Sequence, residues 1–173
     1  MNRENMEKSK VTRKQISSNM CFICGIHNDA GLNIRFFETE NNEVVCRFTA
    51  RDEHQSYPER LHGGIASTVL DELIGRTIQL IEPSSWAVTC DLSIKYKKPV
   101  PLNTELLAKA RYTKFSHGLL FAEGEIYLPD GTVAVTASGR YLKMPLEKIV
   151  NEGNDNDHEE MFMVENEEDP EYI

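Results

Sequence analysis

The sequence predicts a single α+β domain in which one antiparallel sheet wraps a long central helix. Apolar residues recur three and four apart from Gly64 to Ile81, and strand-like runs lie on both sides of this segment. The 173 residues are enough for one domain with its own core and too few for two ordinary ones. The expected order of elements is β-β-α-β-β-β-β, a layered α+β architecture.

The first elements are a hairpin and the helix. The stretches GLNIRFFE and EVVCRFTA, residues 31–38 and 43–50, are short strand-like runs that flank the turn-prone TENN. The helix that follows ends at Pro83, and its apolar positions are Ile65, Ala66, Val69, Leu70, Leu73, Ile74, Ile78 and Ile81. About 18 residues give a helix of roughly 27 Å, which one sheet can cover.

Four strands are expected after the helix. Trp86, Val88, Cys90, Leu92, Ile94 and Tyr96 alternate with more polar residues, which is the period of a half-buried strand, and Pro99 and Pro101 end it. Further strand-like runs lie near 104–112, 119–128 and 132–142. The tripeptide PDG, residues 129–131, marks a hairpin turn between the last two runs.

Composition divides the chain into three parts. Residues 1–19 are polar and predict a mobile leader or a short peripheral helix, residues 20–146 form the domain, and residues 147–173 form an acidic tail. The tail has eleven acids and one lysine, so its formal charge is −10. Because the whole chain has a formal charge of −9, the remaining residues sum to +1. It predicts a flexible segment, although the apolar residues 161–164 can dock. A nearly neutral body disfavours a nucleic-acid partner.

Hydropathy and cysteine content predict a cytoplasmic protein that does not bind membranes. No stretch approaches the roughly 20 apolar residues of a membrane span, and the polar N-terminus lacks the apolar region of a secretion signal. Cys21, Cys24, Cys46 and Cys90 are too scattered for a disulfide framework. The Cys21-x-x-Cys24 pair resembles half a zinc site or a redox dithiol. Without a second pair or a βαβ pattern, the sequence favours a simple turn and no metal.

The stretch RLHGGIASTVLDELIG, residues 60–75, carries the candidate chemistry at the start of the helix. Free N–H groups there lie at the positive end of the helix dipole, where glycines allow a ligand to come close. The Gly63 N–H, with Gly64 as a second donor, can stabilise an oxyanion, and His62 would position the loop or the carbonyl. The alternative is a tight loop-to-helix turn capped by His62.

Asp71 lies inside this apolar helix, where an unpaired carboxylate is costly. Asp71 either faces solvent, pairs with a cation such as Arg76, or has a chemical function. For its neighbour Glu72 we expect a solvent-exposed or paired role. Ser67 and Gly75 lie one turn away on either side and leave room for a group to approach. Asp71 is therefore a candidate general base or nucleophile.

The spacing of these groups predicts an oligomer. Gly63 and Asp71 are eight residues apart, so they lie about 12 Å apart along one helix. One carbonyl group cannot contact both. If both act, they come from different subunits, and a two-fold homodimer would have two sites at its interface.

These features together resemble the hotdog-fold acyl-CoA thioesterases of the phenylacetyl-CoA thioesterase-like (PaaI-like) branch. The resemblance rests on HGGIASTVLDELIG, CFICGIHNDAGLNIRF, HQSYPERLHGG and AVTCDLSIKYKKPVP, and it covers about residues 20–145. It implies a hotdog fold with sheets joined across a dimer, in a homodimer or homotetramer. It also implies hydrolysis of an acyl-CoA to the free acid and CoA, with a site shared between subunits and no separate cofactor, because CoA is part of the substrate.

The resemblance implies further site residues. Thr89 matches a hydroxyl that lies near the acid, although it can equally be an ordinary strand threonine. The family often has a polar residue six or seven positions before the histidine, and of Ser56 and Gln55 we prefer Gln55. Glu59 occupies a position that is commonly glycine, which leaves this register open.

Coenzyme A brings phosphates, which need cations near the mouth of the pocket. The candidates are Lys95, Lys97, Lys98, Lys109, Arg111, Lys114 and His117. The alternative is that strand lysines discourage edge-to-edge pairing. Two rival functions are a hydratase, whose usual histidine-containing signature is absent, and a non-catalytic acyl-CoA-binding module, which would need no acid inside the helix.

Overall fold

One antiparallel sheet packs against one helix in the structure, a computed structural model that describes residues 8–149, 162–163 and 169–173. The strands are β1 (Val11–Lys14), β2 (Ser17–Ser18), β3 (Phe37–Thr39), β4 (Val44–Thr49), β5 (Trp86–Tyr96), β6 (Glu105–Ser116), β7 (Leu119–Tyr127), β8 (Val133–Met144) and β9 (Phe162–Met163). The helices are α1 (Gly63–Gly75) and α2 (Leu146–Ile149). Seven strands form one sheet in the order β1-β3-β4-β6-β7-β8-β5, and β2 pairs with β9.

The central helix lies on one face of this sheet and forms the core with it. The buried side of α1 consists of Ala66, Val69, Leu70, Leu73 and Ile74, and α1 contacts β4 to β8. Gly124 of β7 permits a close approach of the helix, because a Cβ there would lie 3.0 Å from Ile74 Cγ1 and 3.3 Å from Leu70 Cδ2. The predicted α+β architecture with one central helix is therefore confirmed.

The end of the helix differs from the prediction. The α-helix stops at Gly75, and residues Arg76–Leu80 continue as a 3-10 turn rather than as α-helix up to Ile81. The Thr77 hydroxyl donates to the Ile74 carbonyl oxygen at 2.7 Å, which competes with the α-helical hydrogen bonds of this turn. No helix among the described residues has the length and apolarity needed to span a membrane.

The first predicted strand is shorter than the sequence suggests. Of the region 31–38, only Phe37 and Glu38 belong to the strand β3 and pair with β4. The backbone before Phe37 forms other hydrogen bonds, because Leu32 N–H donates to the Phe22 carbonyl and Ile34 N–H donates to the Ile23 carbonyl. These bonds anchor the turn that holds the two N-terminal cysteines.

The later strands match the predicted positions, with one local change of phase. The β5 strand has the expected bounds, and β6 to β8 form the expected antiparallel meander. A bulge lies between Thr89 and Asp91, so Cys90 has no partner residue on β8. The single alternation predicted for β5 is therefore wrong. Ala87 packs on the core before the bulge, and Leu92 and Ile94 do so after it.

Both chain ends contact the sheet. Within the predicted leader, Val11–Lys14 forms the edge strand β1 rather than a peripheral helix. From the predicted tail, Ile173 is buried against Phe37, Val45 and Leu107 on the face opposite α1, and Phe162–Met163 pairs with β2. The remaining parts of the leader and tail calls, residues 1–7, 150–161 and 164–168, lie outside the described residues.

Candidate active site

The N-terminus of α1 has one available N–H group. The His62 Nδ1 atom accepts a hydrogen bond of 2.9 Å from Gly64 N–H and caps the helix. His62 therefore has the capping role that the sequence left as the alternative, and the Gly64 N–H is not free to act as a second oxyanion donor. The N–H of Gly63 has no hydrogen-bond partner within the described residues. It is the donor that can bind an approaching carbonyl oxygen.

Two hydroxyl groups fix the Gly63 peptide. Tyr96 Oη and Ser67 Oγ each donate to the Gly63 carbonyl oxygen at 2.9 Å, and they lie 2.5 Å from each other. A Cβ on Gly63 would lie 3.4 Å from the Tyr96 ring, so the ring covers one side of this glycine. Tyr96 is the tyrosine of the quoted strand motif, but it was not predicted as a site residue.

The Asp71 carboxylate is held through one of its two oxygens. Its Oδ1 accepts a hydrogen bond of 2.9 Å from Thr89 Oγ1 and one of 3.0 Å from Tyr141 Oη. Its Oδ2 has no hydrogen-bond partner among the described side chains and backbone groups. Thr89 thus has the predicted position beside the acid, and Oδ2 is left available for a water molecule or a substrate.

Tyr141 is the main residue of the site that the sequence analysis missed. It is 1% exposed, and its hydroxyl also lies 3.2 Å from the Asp71 carbonyl oxygen as a donor. Burial and the nearby Asp71 carboxylate raise the pKa of its phenol, so the hydroxyl keeps its proton as a donor. Its ring fits between Gly75 and Gly139, where a Cβ would lie 3.2 Å and 2.7 Å from ring carbons.

The acidic neighbours on α1 have different partners. Arg76 forms an ion pair of 2.9 Å with Glu72 and contacts no carboxylate oxygen of Asp71. The paired role expected for Glu72 is confirmed, whereas Arg76 does not neutralise Asp71 as the alternative proposed.

Asp71 and Glu72 both line a cavity of ≈ 130 Å³, together with Gly75, Arg76, Ile78, Gln79, Ser85, Trp86, Ala87, Thr89 and Tyr141.

A second opening lies at the other end of the helix. It has a volume of ≈ 260 Å³ and is lined by Leu61, Gly63, Ala66, Tyr96, Lys97, Lys98, Pro99 and Val100. Gly63 and Asp71 are eight positions apart, which corresponds to about 12 Å of continuous α-helix. Both openings are smaller than the roughly 300–1,000 Å³ usual for ligand pockets. Within one chain the two openings are therefore separate, and they are called the Asp71 half-site and the Gly63 half-site below.

The loop before Gly63 is ordered by contacts within itself. Gln55 Oε1 accepts a hydrogen bond of 3.0 Å from Glu59 N–H, so this oxygen is directed to its own loop rather than to Gly63. Glu59 has φ of 62°, a conformation that favours glycine, which agrees with its family position. The buried His54, which the sequence analysis did not single out, accepts from Arg51 N–H and contacts the Ala30 carbonyl at 3.1 Å.

The predicted cations do not form one group. Lys97 and Lys98 line the opening beside Gly63, and Lys95 is exposed on β5. Arg111 pairs with Glu123 at 2.5 Å on the sheet face opposite α1, and Lys109 pairs with Glu43 on that face. Lys114 lies over the Phe121 ring, and His117 Nδ1 lies 2.8 Å from Ser116 Oγ near the β6–β7 turn, at the end where Tyr141 and Asp71 lie.

Comparison with known proteins identifies a sequence family. The thioesterase superfamily profile matches residues 59–135, which include Gly63, Asp71 and Thr89. The chain is similar to acyl-coenzyme A thioesterase THEM4 from Bos taurus, with 25% identity over 145 residues, 83% of this chain and 59% of the relative. It is also similar to human acyl-coenzyme A thioesterase 13, with 26% identity over 58% of this chain and 71% of the relative. The chain thus spans less than two thirds of the THEM4 relative.

Solved structures share the fold. A thioesterase superfamily protein superposes with a TM-score of 0.66, 22% identity, and coverage of 70% of this chain and 59% of that one. The Escherichia coli PaaI protein from the phenylacetic acid degradation operon has a TM-score of 0.59, 16% identity and coverage of 66% and 81%. A Bacillus halodurans protein solved with CoA has a TM-score of 0.53, 27% identity and coverage of 58% and 66%.

Proposed function

Residues 59–135 match the thioesterase superfamily, and the fold is shared with solved members of that superfamily; from this premise we propose that the protein hydrolyses an acyl-CoA thioester to the free acid and CoA. The observation that carries the proposal is the pair of half-sites on α1. One has an unpaired N–H at Gly63, and the other has an oriented carboxylate at Asp71 with one free oxygen. The names of the curated relatives and the CoA bound in a neighbouring structure support the choice of substrate.

Asp71 provides the reactive group of the proposed mechanism. Its Oδ2 either accepts a proton from a water molecule that attacks the thioester carbon, or attacks that carbon itself to form a mixed anhydride that water then opens. In both routes the carbon–sulfur bond breaks and the CoA thiolate leaves. Thr89 and Tyr141 act as positioning residues, because both hydroxyls hold Oδ1 and thereby orient Oδ2.

The N–H of Gly63 from a second subunit supplies the oxyanion donor. The negative charge that develops on the thioester oxygen is stabilised by a fixed N–H at a helix N-terminus. The Asp71 and Gly63 half-sites of one chain are too far apart for one thioester, which favours a composite site in a homodimer or in a tetramer built from such dimers. The long edge strand β5 pairs only with β8 within the described residues, so its other edge is available to a second copy.

Lys97 and Lys98 are the best candidates for binding CoA phosphates. They line the opening beside Gly63, whereas Arg111 and Lys109 lie on the opposite sheet face in ion pairs. We also propose a reducing, cytoplasmic compartment, because the four cysteines are too scattered in the sequence for a disulfide framework.

A panel of acyl-CoAs of different chain length and aromatic character tests this function. The release of CoA would be followed with a thiol reagent, and binding would be measured separately by calorimetry. We expect turnover of at least one acyl-CoA by the wild-type protein and binding without turnover by Asp71→Asn. Tight binding without turnover by the wild-type protein would instead identify a non-catalytic acyl-CoA-binding module.

A further inference from the structure

A side-chain cluster at the C-terminal end of α1 contains both N-terminal cysteines. The sulfur atoms of Cys21 and Cys24 and a carboxylate oxygen of Glu72 all lie within 4.8 Å of one another. The Arg76 guanidinium donates to Cys24 Sγ at 3.1 Å and to Glu72 at 2.9 Å. The pair lies in a turn, as the sequence predicted. The contacts of the two sulfur atoms add a chemical environment that the sequence did not predict.

The turn itself brings the two sulfurs together. Gly25 N–H donates to the Cys21 carbonyl at 2.8 Å, and any Cβ at Gly25 would lie 2.3 Å from that oxygen, so only glycine fits here. Backbone N–H groups point at both sulfurs, from Ile23 to Cys21 Sγ and from Ser18 to Cys24 Sγ, each at 3.3 Å. Such donors stabilise a thiolate.

From this geometry we propose that Cys21 and Cys24 are a redox-active dithiol that exchanges with low-molecular-weight disulfides. Cys21 is half-buried and Cys24 is buried, so an incoming disulfide reaches Cys21 first. The Cys21 thiolate attacks one sulfur of the disulfide, forms a mixed disulfide and displaces one thiolate. Cys24 then loses its proton to solvent, attacks Cys21 Sγ and displaces the second thiolate. The net reaction converts a dithiol and one disulfide into the Cys21–Cys24 disulfide and two thiols.

The electrostatics give the two cysteines these separate roles. The hydrogen bond from the Cys24 thiol is the main cause that lowers the pKa of Cys21, while burial and Glu72 oppose the shift. The same hydrogen bond and burial raise the pKa of Cys24, against the effect of Arg76. An accessible nucleophile with a buried, protonated partner suits a two-step exchange.

The same contacts disfavour a metal at this cluster. A cation bound by both sulfurs and Glu72 would lie beside the Arg76 guanidinium, which already contacts Cys24 and Glu72. This guanidinium is buried over the Phe36 ring at 4.4 Å, so it has little room to move away. A fixed positive charge repels a divalent cation at such short range.

The test uses the full chain in a Cys90→Ser background, because Cys90 is the exposed thiol that would otherwise react. The protein is equilibrated with mixtures of reduced and oxidised glutathione, quenched with acid, alkylated and mapped by mass spectrometry. We expect Cys21 and Cys24 to lose their free thiols together and to form a disulfide, while the buried Cys46 stays reduced. Cys24→Ser should trap glutathione on Cys21, and Cys21→Ser should leave Cys24 unmodified.

A second measurement needs no substitution near the core. In the Cys90→Ser protein the rate of Cys21 alkylation by iodoacetamide should reach half of its maximum at a pH clearly below the pKa of an ordinary free thiol. Cys24, Glu72 and Arg76 are the charged or titratable neighbours of Cys21. A midpoint near the value of about 8.5 for a free thiol would contradict the proposal.

Failure of the pair to oxidise in a buffer that oxidises a reference dithiol would also overturn it. So would stoichiometric zinc that protects both thiols until it is chelated. Loss of thioesterase activity bears on none of these readouts.

Discussion

The buried hydroxyl of Tyr141 donates to Asp71 Oδ1 at 3.0 Å, on the same oxygen that accepts from Thr89. This relationship divides the carboxylate into a held oxygen and a free one. It also orients the free oxygen by contacts from β5 and β8 to a single turn of α1. The Asp71 half-site is thus a product of tertiary packing and not of the helix alone.

The first prediction concerns the charge of Asp71. Asp71→Asn keeps the shape of the side chain but removes the base or nucleophile, so turnover should fall about 100-fold or more while acyl-CoA affinity changes little. Steady-state kinetics and calorimetry on the same samples measure both quantities. Glu105→Gln, at an exposed ion pair with Arg47, is the control and should leave turnover unchanged. Equal loss in both variants would remove Asp71 from the mechanism.

The second prediction concerns the orientation of Asp71. Tyr141→Phe keeps the ring between Gly75 and Gly139 but deletes one donor, so kcat should fall about 10-fold with KM nearly unchanged. Tyr127→Phe is the matched control, because Tyr127 bonds to Glu125 on the other part of the sheet and lines no half-site on α1. If Tyr141→Phe lowered only thermal stability, Tyr141 would have a structural role.

The third prediction concerns CoA recognition. A Lys97→Ala/Lys98→Ala double variant should raise KM for acyl-CoA several-fold with kcat preserved, and the effect should shrink at high salt. Acyl-pantetheine substrates, which lack the nucleotide phosphates, should show no such change. Arg111→Ala is the control, since Arg111 pairs with Glu123 on the opposite face. An equal effect of Arg111→Ala would show that the cation surface was wrongly assigned.

The fourth prediction concerns the contact between helix and sheet. Gly124→Ala would place a Cβ 3.0 Å from Ile74 Cγ1, so overpacking should cost about 1–3 kcal/mol of unfolding free energy. Gly63→Ala would meet the Tyr96 ring at 3.4 Å, an ordinary contact, and should be nearly neutral. Denaturant unfolding of both variants checks this difference. Equal stability would mean that α1 shifts freely on the sheet.

Local patterns in the sequence were sufficient for the start of the helix and for the positions of the strands β5 to β8. They also drew attention to Gly63 and Asp71, whereas Thr89 came from the family resemblance. Periodicity identifies one face of a helix, and a carboxylate inside an apolar run is conspicuous. The contact of Tyr141 with Asp71 joins residues 70 positions apart, and no local pattern encodes it. The bulge at Cys90 and the separation of Lys97 and Lys98 from Lys114 depend on strand pairing. Strand pairing joins distant residues, so no local pattern predicts it either.

The shared site also requires that Gly63 act through its N–H. Gly63→Pro deletes this group at the first helical position, where proline is well tolerated and the extended backbone of His62 suits a following proline. Gly63→Ala retains the N–H and serves as the control. We expect Gly63→Pro to lose turnover about 100-fold or more while keeping its helix content, and Gly63→Ala to stay active.

The most direct test mixes two inactive chains. Heterodimers of Asp71→Asn with Gly63→Pro, isolated with two different affinity tags, should contain one site with both defects and one with neither. A site shared between subunits predicts recovery of up to about half of the wild-type activity per dimer. Verified heterodimers that remain as inactive as their parents would contradict a site shared between subunits.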